Sequence, residues 1–131
     1  MQLIFRYGFL LLLLPACTRH SGDVAAPESM AATLTIAQPL AGAIFHIGDT
    51  VTIEADAIAP ATIHGYEVEI HRLNDTTKLF YAHVHDHNDT LQISKRWVND
   101  RSTPVALEAR ITLTLDHEGH QLQRSVNFQA Q

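Results

Sequence analysis

The sequence predicts an all-β domain, a sandwich of about seven antiparallel strands that occupies residues 33–131. Apolar and polar residues alternate with a period of two over most of this region, as they do along half-buried strands. Turn residues interrupt the alternation at near-regular intervals, and no segment carries a convincing helical period. Two sheets that pack on their apolar faces satisfy this pattern.

The first half of the domain carries three predicted strands. Apolar residues alternate with threonines over residues 33–36, and again with polar residues over 51–57 after a Gly-Asp turn. Pro60 is expected to end the second of these strands, because proline cannot donate to a β-ladder. Alternation resumes over residues 66–70, and Asn74-Asp75 marks the turn that follows.

The second half carries the remaining strands and the clearest hairpin signal. Asp116 to Gly119 form a polar loop with glycine at the position that favours a positive φ. Trp97 follows a short alternating segment and is expected to pack in the core or at its rim. The strands predicted in this half are 80–85, 91–93, 105–115 and 122–128.

The first sixteen residues have the features of a secretory signal peptide. Arg6 supplies positive charge, a short apolar run follows, and the segment ends in Leu14-Pro15-Ala16-Cys17. This ending resembles the bacterial lipobox, which implies that Cys17 becomes the first mature residue and is acylated. The alternative is an ordinary signal peptide that leaves a free thiol. The expected organisation is therefore a leader (1–16), a flexible tether (17–32) and the β-domain (33–131).

Charge and cysteine content limit the partners and the location. The formal net charge is −5, and loss of Arg6 with the leader makes it −6. An acidic chain lacks the basic face that nucleic acids attract, so no nucleic-acid partner is expected. The expected partner is a membrane, reached through the lipid on Cys17. Because Thr18 is not the aspartate typical of inner-membrane retention, the cell envelope at the outer membrane is the favoured address.

The most unusual feature of the composition is nine histidines, three of which alternate along one predicted strand. His83, His85 and His87 share the face opposite the apolar residues and should contact solvent. Alternate Cα atoms lie about 6.6 Å apart along a strand, so two of these imidazoles can reach one metal ion but all three cannot. A site therefore needs a ligand from another strand.

A hairpin around Asn74-Asp75 supplies that ligand. If paired residue numbers sum to 150, Glu67 lies opposite His83, and Glu69 lies opposite Tyr81 on the same face. Glu67, His83 and His85 then form a three-ligand site suited to zinc or copper(II). A register shifted by two residues would change the partner of His83 but keep the face. His71 is expected on this face near the hairpin end.

Two further interpretations of the histidines remain open. Asp86, His87 and Asp89 can build a second, looser site, although short His/Asp-rich stretches are also common as solvated loop ends. The remaining histidines are explained without function, as hairpin-tip or strand-edge residues. These are His117 and His120 beside the predicted hairpin loop, and His46 and His64 near strand ends.

The order of turn and core motifs resembles a known family. Pro39-Leu40-x-Gly42, Gly48-Asp49-x-Val51, Tyr66-x-Val68-x-Ile70-His71, His83-x-His85, Trp97 and Asp116-x-x-Gly119 follow one another along the domain. In this order they resemble the uncharacterised immunoglobulin-like domains of bacterial surface lipoproteins. The resemblance implies an immunoglobulin-like or fibronectin-like sandwich and a lipid-anchored address, but no activity.

Three functions follow as expectations. The first is a non-catalytic binding or assembly module that meets an envelope protein or a glycan. The second is a copper- or zinc-binding lipoprotein that uses the His83-x-His85-x-His87 strand. The third, a hydrolase or metal-dependent enzyme, has no positive support, because no Gly-x-Ser-x-Gly or His-Glu-x-x-His motif is present and Cys17 is assigned to the lipid.

Overall fold

The computed structural model describes residues 31–131, which form two β-sheets that pack face to face. The predicted leader, and the predicted tether up to residue 30, lie outside the described residues. Within the described part no helix is formed, and so none there is long and apolar enough to cross a bilayer. The eight strands are β1 (Thr33–Gln38), β2 (Ile44–Phe45), β3 (Thr50–Ile63), β4 (Gly65–Arg72), β5 (Lys78–Val84), β6 (Asn88–Val98), β7 (Val105–Thr114) and β8 (Gln121–Ala130).

The strand order confirms the predicted sandwich. One sheet has the order β1-β3-β6, and the other has the order β2-β8-β7-β4-β5. Neighbouring strands are antiparallel, except that β2 runs parallel to β8. A three-stranded sheet thus faces a five-stranded one, and the chain crosses between them after β1, β2, β3, β5 and β6. Two mainly antiparallel sheets with such crossovers are typical of immunoglobulin-like and fibronectin-like sandwiches.

Period-two alternation builds the core. Val51 and Ile53 of β3 are fully buried, as are Leu107, Ala109 and Ile111 of β7, whereas the residues that alternate with them are more exposed. Phe128 of β8 fills the space between the sheets and meets the Phe45 ring edge-on, with ring centroids 5.7 Å apart. Trp97 is buried as predicted. Burial of this apolar surface is the main stabilising contribution to the fold.

Three strand predictions need correction. β2 was not predicted, because two residues are too short to show a period. Pro60 does not end its strand: β3 continues to Ile63, and Pro60 lies in an irregular segment between Ile58 and Ile63. Proline is tolerated there because the ladder is already interrupted. β6 is an eleven-residue strand that contains Trp97, and not the short segment predicted over 91–93.

A buried asparagine connects the loops at one end of the sandwich. Asn99 is fully buried; its side-chain Nδ2 donates to the Phe45 carbonyl at 3.1 Å, and its Oδ1 accepts from the Arg101 amide at 2.9 Å. The Asn99 backbone also exchanges hydrogen bonds with Gly48 and Asp49. One side chain thus satisfies two backbone groups that the fold removes from water.

Candidate functional site

The β4–β5 hairpin has the predicted register. Glu67 pairs with His83, and Glu69 pairs with Tyr81. The alternative register, shifted by two residues, is therefore wrong. The odd-numbered side chains of both strands point away from the core, since Val68, Ile70 and Tyr66 between them are buried.

This register assembles a polar group that we call the strand-face cluster, consisting of Glu67, Tyr81, His83 and His85. Glu67 Oε1 lies 3.3 Å from His83 Nδ1 and accepts a hydrogen bond from the Tyr81 hydroxyl at 2.9 Å. The His83 and His85 rings lie edge to face, with centroids 4.8 Å apart. The side chains of His83 and Glu67 remain 40% and 37% exposed, so a solute ion has direct access to both.

The charges around this cluster shift two pKa values. The hydrogen bond to Glu67, followed by partial burial, raises the pKa of the Tyr81 phenol. The hydrogen bond to Glu69 raises the pKa of Lys78, whose Nζ lies 4.5 Å from the centroid of the Tyr81 ring. The strand-face cluster therefore has the Lys78 cation at its edge, and the Glu67 carboxylate at its centre accepts the hydrogen bond from Tyr81.

His87 does not join His83 and His85. β5 ends at Val84, so His85 and His87 follow the strand and do not continue it. Ile63 pairs with Asn88 at the start of β6, and this pairing carries His87 away from the hairpin face towards His64. Asp86, the expected partner of His87 in the second site, accepts a hydrogen bond from the Asn88 side chain.

His71 lies in a different environment from the one predicted. It is only 5% exposed, and its Nε2 is 3.4 Å from Glu108 Oε1, across the β4–β7 pairing. Because β4 is an interior strand with neighbours on both sides, adjacent side chains cover the ring. Glu108 is also held by Arg110. His71 Nε2 therefore approaches Glu108 without a hydrogen bond among the described residues, and the ring is too buried to serve as an open ligand of the strand-face cluster.

Three other histidines meet at one end of the sandwich, and we call them the loop-end trio: His64, His87 and His117. The His64 ring centroid lies 4.0 Å from that of His117 and 5.4 Å from that of His87. Burial lowers the pKa of His64, as do His117 and His87, whereas Asp116 opposes the shift. The neutral imidazole that this favours is the form that binds metal ions.

The pairing of the strands explains why the trio forms. Ile63 lies opposite Asn88, so the next residue, His64, comes beside His87. The His64 amide donates to the Thr114 carbonyl at 2.8 Å. Thr114 is the last residue of β7 and precedes His117 by three positions, so this bond holds His64 near His117. The sequence alternation could not predict this arrangement, because it depends on the irregular segment around Pro60. The one available signal was a proline inside a strand pattern.

Gly65 allows the start of β4 to lie close to the end of β5. Its φ is +142°, and a Cβ at this position would lie 2.6 Å from the Val84 carbonyl oxygen. Only glycine allows the start of β4 to come this close to the end of β5. The His64 backbone and the segment that carries His85 and His87 are therefore held side by side.

A third group lies in the β7–β8 hairpin loop. Asp116, Glu118 and His120 are the described residues whose potential ligand atoms already lie within 4.8 Å of one another. The Asp116 carboxylate accepts hydrogen bonds from the amides of Glu118 and His120 and from the His120 ring, and these bonds lower its pKa. These contacts cap the hairpin loop, so the carboxylate is already used for structure. In the strand-face cluster and the loop-end trio, by contrast, the imidazoles must rotate before their nitrogens converge.

Two clefts of the domain contain no histidine. The cleft between β1 and β8, about 370 Å³, is lined by Leu34, Ile36, Pro39, Leu40, Arg124 and Val126 among others, and contains no histidine. A second cleft, about 350 Å³, lies near Arg72 and Arg101. The strand-face cluster, whose His83 and Glu67 side chains are partly exposed, is therefore an open surface group and not part of either cleft.

Comparison with known proteins gives a likeness to solved structures and no match by sequence family. No protein-family model matches the chain, and no curated protein matches it. Among solved structures, the chain is similar to a fibronectin(III)-like module of Clostridium thermocellum CbhA, with 16% identity and a TM-score of 0.49 over 75% of this chain and 94% of that chain. The sandwich assignment rests on the strand order of the chain itself.

Proposed function

We propose that this protein is a lipid-anchored lipoprotein of the cell envelope that acts as a non-catalytic binding or assembly module. The observation that carries the proposal is the separation between the folded domain and Cys17. The core extends from Leu34 to Ala130, and Cys17 stands sixteen positions before the first strand residue, Thr33. The lipobox-like ending and a self-contained sandwich are what a tethered module requires.

The outer face of the five-stranded sheet supports the binding role. Tyr81 is about half exposed there, between Lys78 and His83 on the edge strand β5. Aromatic and charged side chains on a rigid strand suit a polar partner, either an envelope protein or a glycan. The module presents this face on a strand and not on a loop, so the side chains are positioned before the partner arrives.

Mass spectrometry of the N-terminal peptide tests the anchor. In the wild-type protein, expressed in a bacterium from the full sequence, we expect a peptide that begins at Cys17 and carries three acyl chains. The protein should then enter the detergent phase on Triton X-114 partitioning. Cys17→Ala should remain in the aqueous phase, and Thr18→Ala serves as the matched control. An unmodified Cys17 thiol in the mature protein would contradict the anchor.

The second candidate function is binding of zinc or copper(II) by Glu67, His83 and His85. The pairing of Glu67 with His83 favours it, because it places a carboxylate 3.3 Å from one imidazole, whose ring centroid lies 4.8 Å from that of a second. Calorimetric titration with each metal, repeated on His83→Ala/His85→Ala, tests it. Submicromolar binding that the variant loses supports this function, whereas equal binding by both proteins contradicts it.

A further inference from the structure

We propose that the loop-end trio, His64, His87 and His117, is a binding site for a divalent transition-metal ion of the zinc or copper(II) class. The three residues come from three different connections of the sandwich: β3–β4, β5–β6 and β7–β8. The proposal is independent of the lipid on Cys17 and of the strand-face cluster, with which the trio shares no residue.

The spacings of the His64 ring from the other two rings are close to those around a shared ion. With Zn–N bonds of about 2.0–2.1 Å, the centroids of two imidazoles on a tetrahedral zinc lie about 5 Å apart. The observed centroid distances from His64, 4.0 Å to His117 and 5.4 Å to His87, lie on either side of this value. His87 and His117 are exposed, so rotation of their side chains can bring the nitrogens into line.

The donor set selects the class of metal. Three imidazoles suit zinc and copper(II), while calcium and magnesium require oxygen ligands. Three protein ligands leave a fourth position for water or for a group from another molecule. The carboxylate of Asp116, which precedes His117 in the chain, is held by the amides of Glu118 and His120, so the imidazoles remain the principal donors.

One nitrogen of the trio lacks a partner. His64 Nδ1 is buried and has no hydrogen bond within the described residues. A buried polar atom without a partner is unfavourable, and a bound ion is one of the recognised explanations. The His64 backbone is meanwhile fixed by its hydrogen bond to Thr114 and by the close approach at Gly65. One ligand is therefore positioned before the metal arrives.

A metal bound here would join the two sheets at this end of the sandwich. The β3–β4 and β5–β6 connections both run from one sheet to the other, and His64 and His87 lie on them. An ion that binds only the folded state stabilises it in proportion to the logarithm of its concentration over Kd. At a hundredfold excess over Kd, the melting temperature of a domain of this size should rise by roughly 10–20 °C.

Zinc titration of matched variants tests the proposal. The protein is expressed from the full 131-residue sequence, purified in detergent and titrated with zinc sulfate by calorimetry. His87→Ala/His117→Ala removes two exposed members of the trio, and His83→Ala/His85→Ala is the matched control in the strand-face cluster. We expect the trio variant to bind zinc at least 10–100-fold more weakly than the wild type, because removal of a ligand costs no less than removal of its supporting contacts. The control variant should bind zinc at this site with the affinity of the wild type.

Two further measurements distinguish a loss of zinc binding from a loss of the folded structure. Circular dichroism confirms that each variant retains the β-sandwich, and the zinc-induced rise in melting temperature should disappear in the trio variant alone. Long-range ¹H–¹⁵N NMR spectra should show zinc-dependent shifts in the imidazole nitrogens of His64, His87 and His117. Equal zinc affinity in the trio variant and the wild type would overturn the proposal. So would a loss of binding confined to His83→Ala/His85→Ala, which would instead support the second candidate function.

Discussion

The Tyr81 hydroxyl donates a hydrogen bond to Glu67 at 2.9 Å, across the pairing of β4 with β5. The same carboxylate oxygen lies 3.3 Å from His83 Nδ1, so one acceptor serves a phenol and an imidazole. The position of this carboxylate therefore determines both the charge of the strand-face cluster and the acidity of its phenol.

Replacement of Glu67 by alanine should lower the pKa of Tyr81 towards its ordinary value of 10.0. The carboxylate raises that pKa because it accepts a hydrogen bond from the neutral phenol and repels the phenolate. Absorbance at 295 nm as a function of pH measures the ionisation, and Tyr81→Phe assigns the titration. Glu54→Ala, on the outer face of the other sheet, should leave the midpoint in place. An unchanged midpoint in Glu67→Ala would exclude the hydrogen bond in solution.

Substitution of Gly65 by alanine should destabilise the domain by roughly 2–4 kcal/mol. The loss has two causes, a φ of +142° that suits glycine and a Cβ that would meet the Val84 carbonyl oxygen at 2.6 Å. Gly42→Ala is the matched control, because Gly42 also has a positive φ but open space around it. That control should lose only about 1 kcal/mol. Urea unfolding measures the free energy of unfolding of both variants. Equal losses would show that Gly65 and the Val84 carbonyl oxygen lie further apart in solution.

Asp75 should make stability dependent on pH in the acid range. Hydrogen bonds from the Thr77 amide and hydroxyl, both at 3.1 Å, hold the pKa of Asp75 below its ordinary value of 3.8. A depressed pKa contributes stability that is fully present above the ordinary value and is lost as the pH falls through the lowered one. The wild type should therefore exceed Asp75→Asn in stability at pH 6, and the difference should shrink towards pH 2.

Urea midpoints measured at several pH values check this prediction. Thr77→Val removes the hydroxyl bond to the Asp75 carboxylate and keeps the amide bond. Its difference in stability from the wild type should therefore change less with pH than that of Asp75→Asn. A difference between wild type and Asp75→Asn that stays constant from pH 6 to pH 2 would argue against the lowered pKa.

Removal of the Asn99 side chain should destabilise the domain by roughly 1–3 kcal/mol, since Asn99→Ala leaves the Arg101 amide without its acceptor. The Phe45 carbonyl loses one of its two donors and keeps the hydrogen bond from the Gln131 amide. Asn127→Ala, at an exposed position of β8, should change stability by less than about 0.5 kcal/mol. Thermal and urea unfolding compare the two variants. A loss in Asn99→Ala no larger than that in Asn127→Ala would contradict the role assigned to the buried amide.

Lys95 should protect an exposed sheet edge. It lies on the core-facing side of edge strand β6, opposite Ile53, and its Nζ is 5.8 Å from the Tyr66 ring centroid. A charge that points inward on an edge strand opposes the addition of another strand. Lys95→Met should therefore increase self-association, measured by light scattering at rising concentration. Arg96→Met, on the opposite face of the same strand, is the control. Equal self-association of the two variants would contradict the protective role of Lys95.

The sequence predicts the features that depend on local alternation. The faces of the strands, the burial of Trp97 and the pairing of Glu67 with His83 all follow from a period of two and a short turn at Asn74-Asp75. The one-residue irregularity in this hairpin falls beyond Ile70, and so it leaves the pairing of Glu67 unchanged.

The features that alternation does not predict depend on irregular backbone and on distant segments. The loop-end trio requires the interrupted pairing between Ile58 and Ile63, which no period reveals. The burial of His71 depends on its neighbour across β7, Glu108, which lies 37 positions later in the chain. Asn99 occurs in an Asn-Asp pair that is typical of any exposed turn. In each case the side chain acquires its role from residues that are remote in sequence.

The strand directions give the domain two chemically different poles. Ala31 and Ala32, where the described chain begins, line a cleft with Leu115 and Asp116, and the loop-end trio lies at this same pole. The opposite pole carries the exposed apolar side chains of Ile47 and Val98. A molecule that approaches from the pole of Ile47 and Val98 therefore meets aliphatic side chains first, while the loop-end trio lies at the pole where the described chain begins.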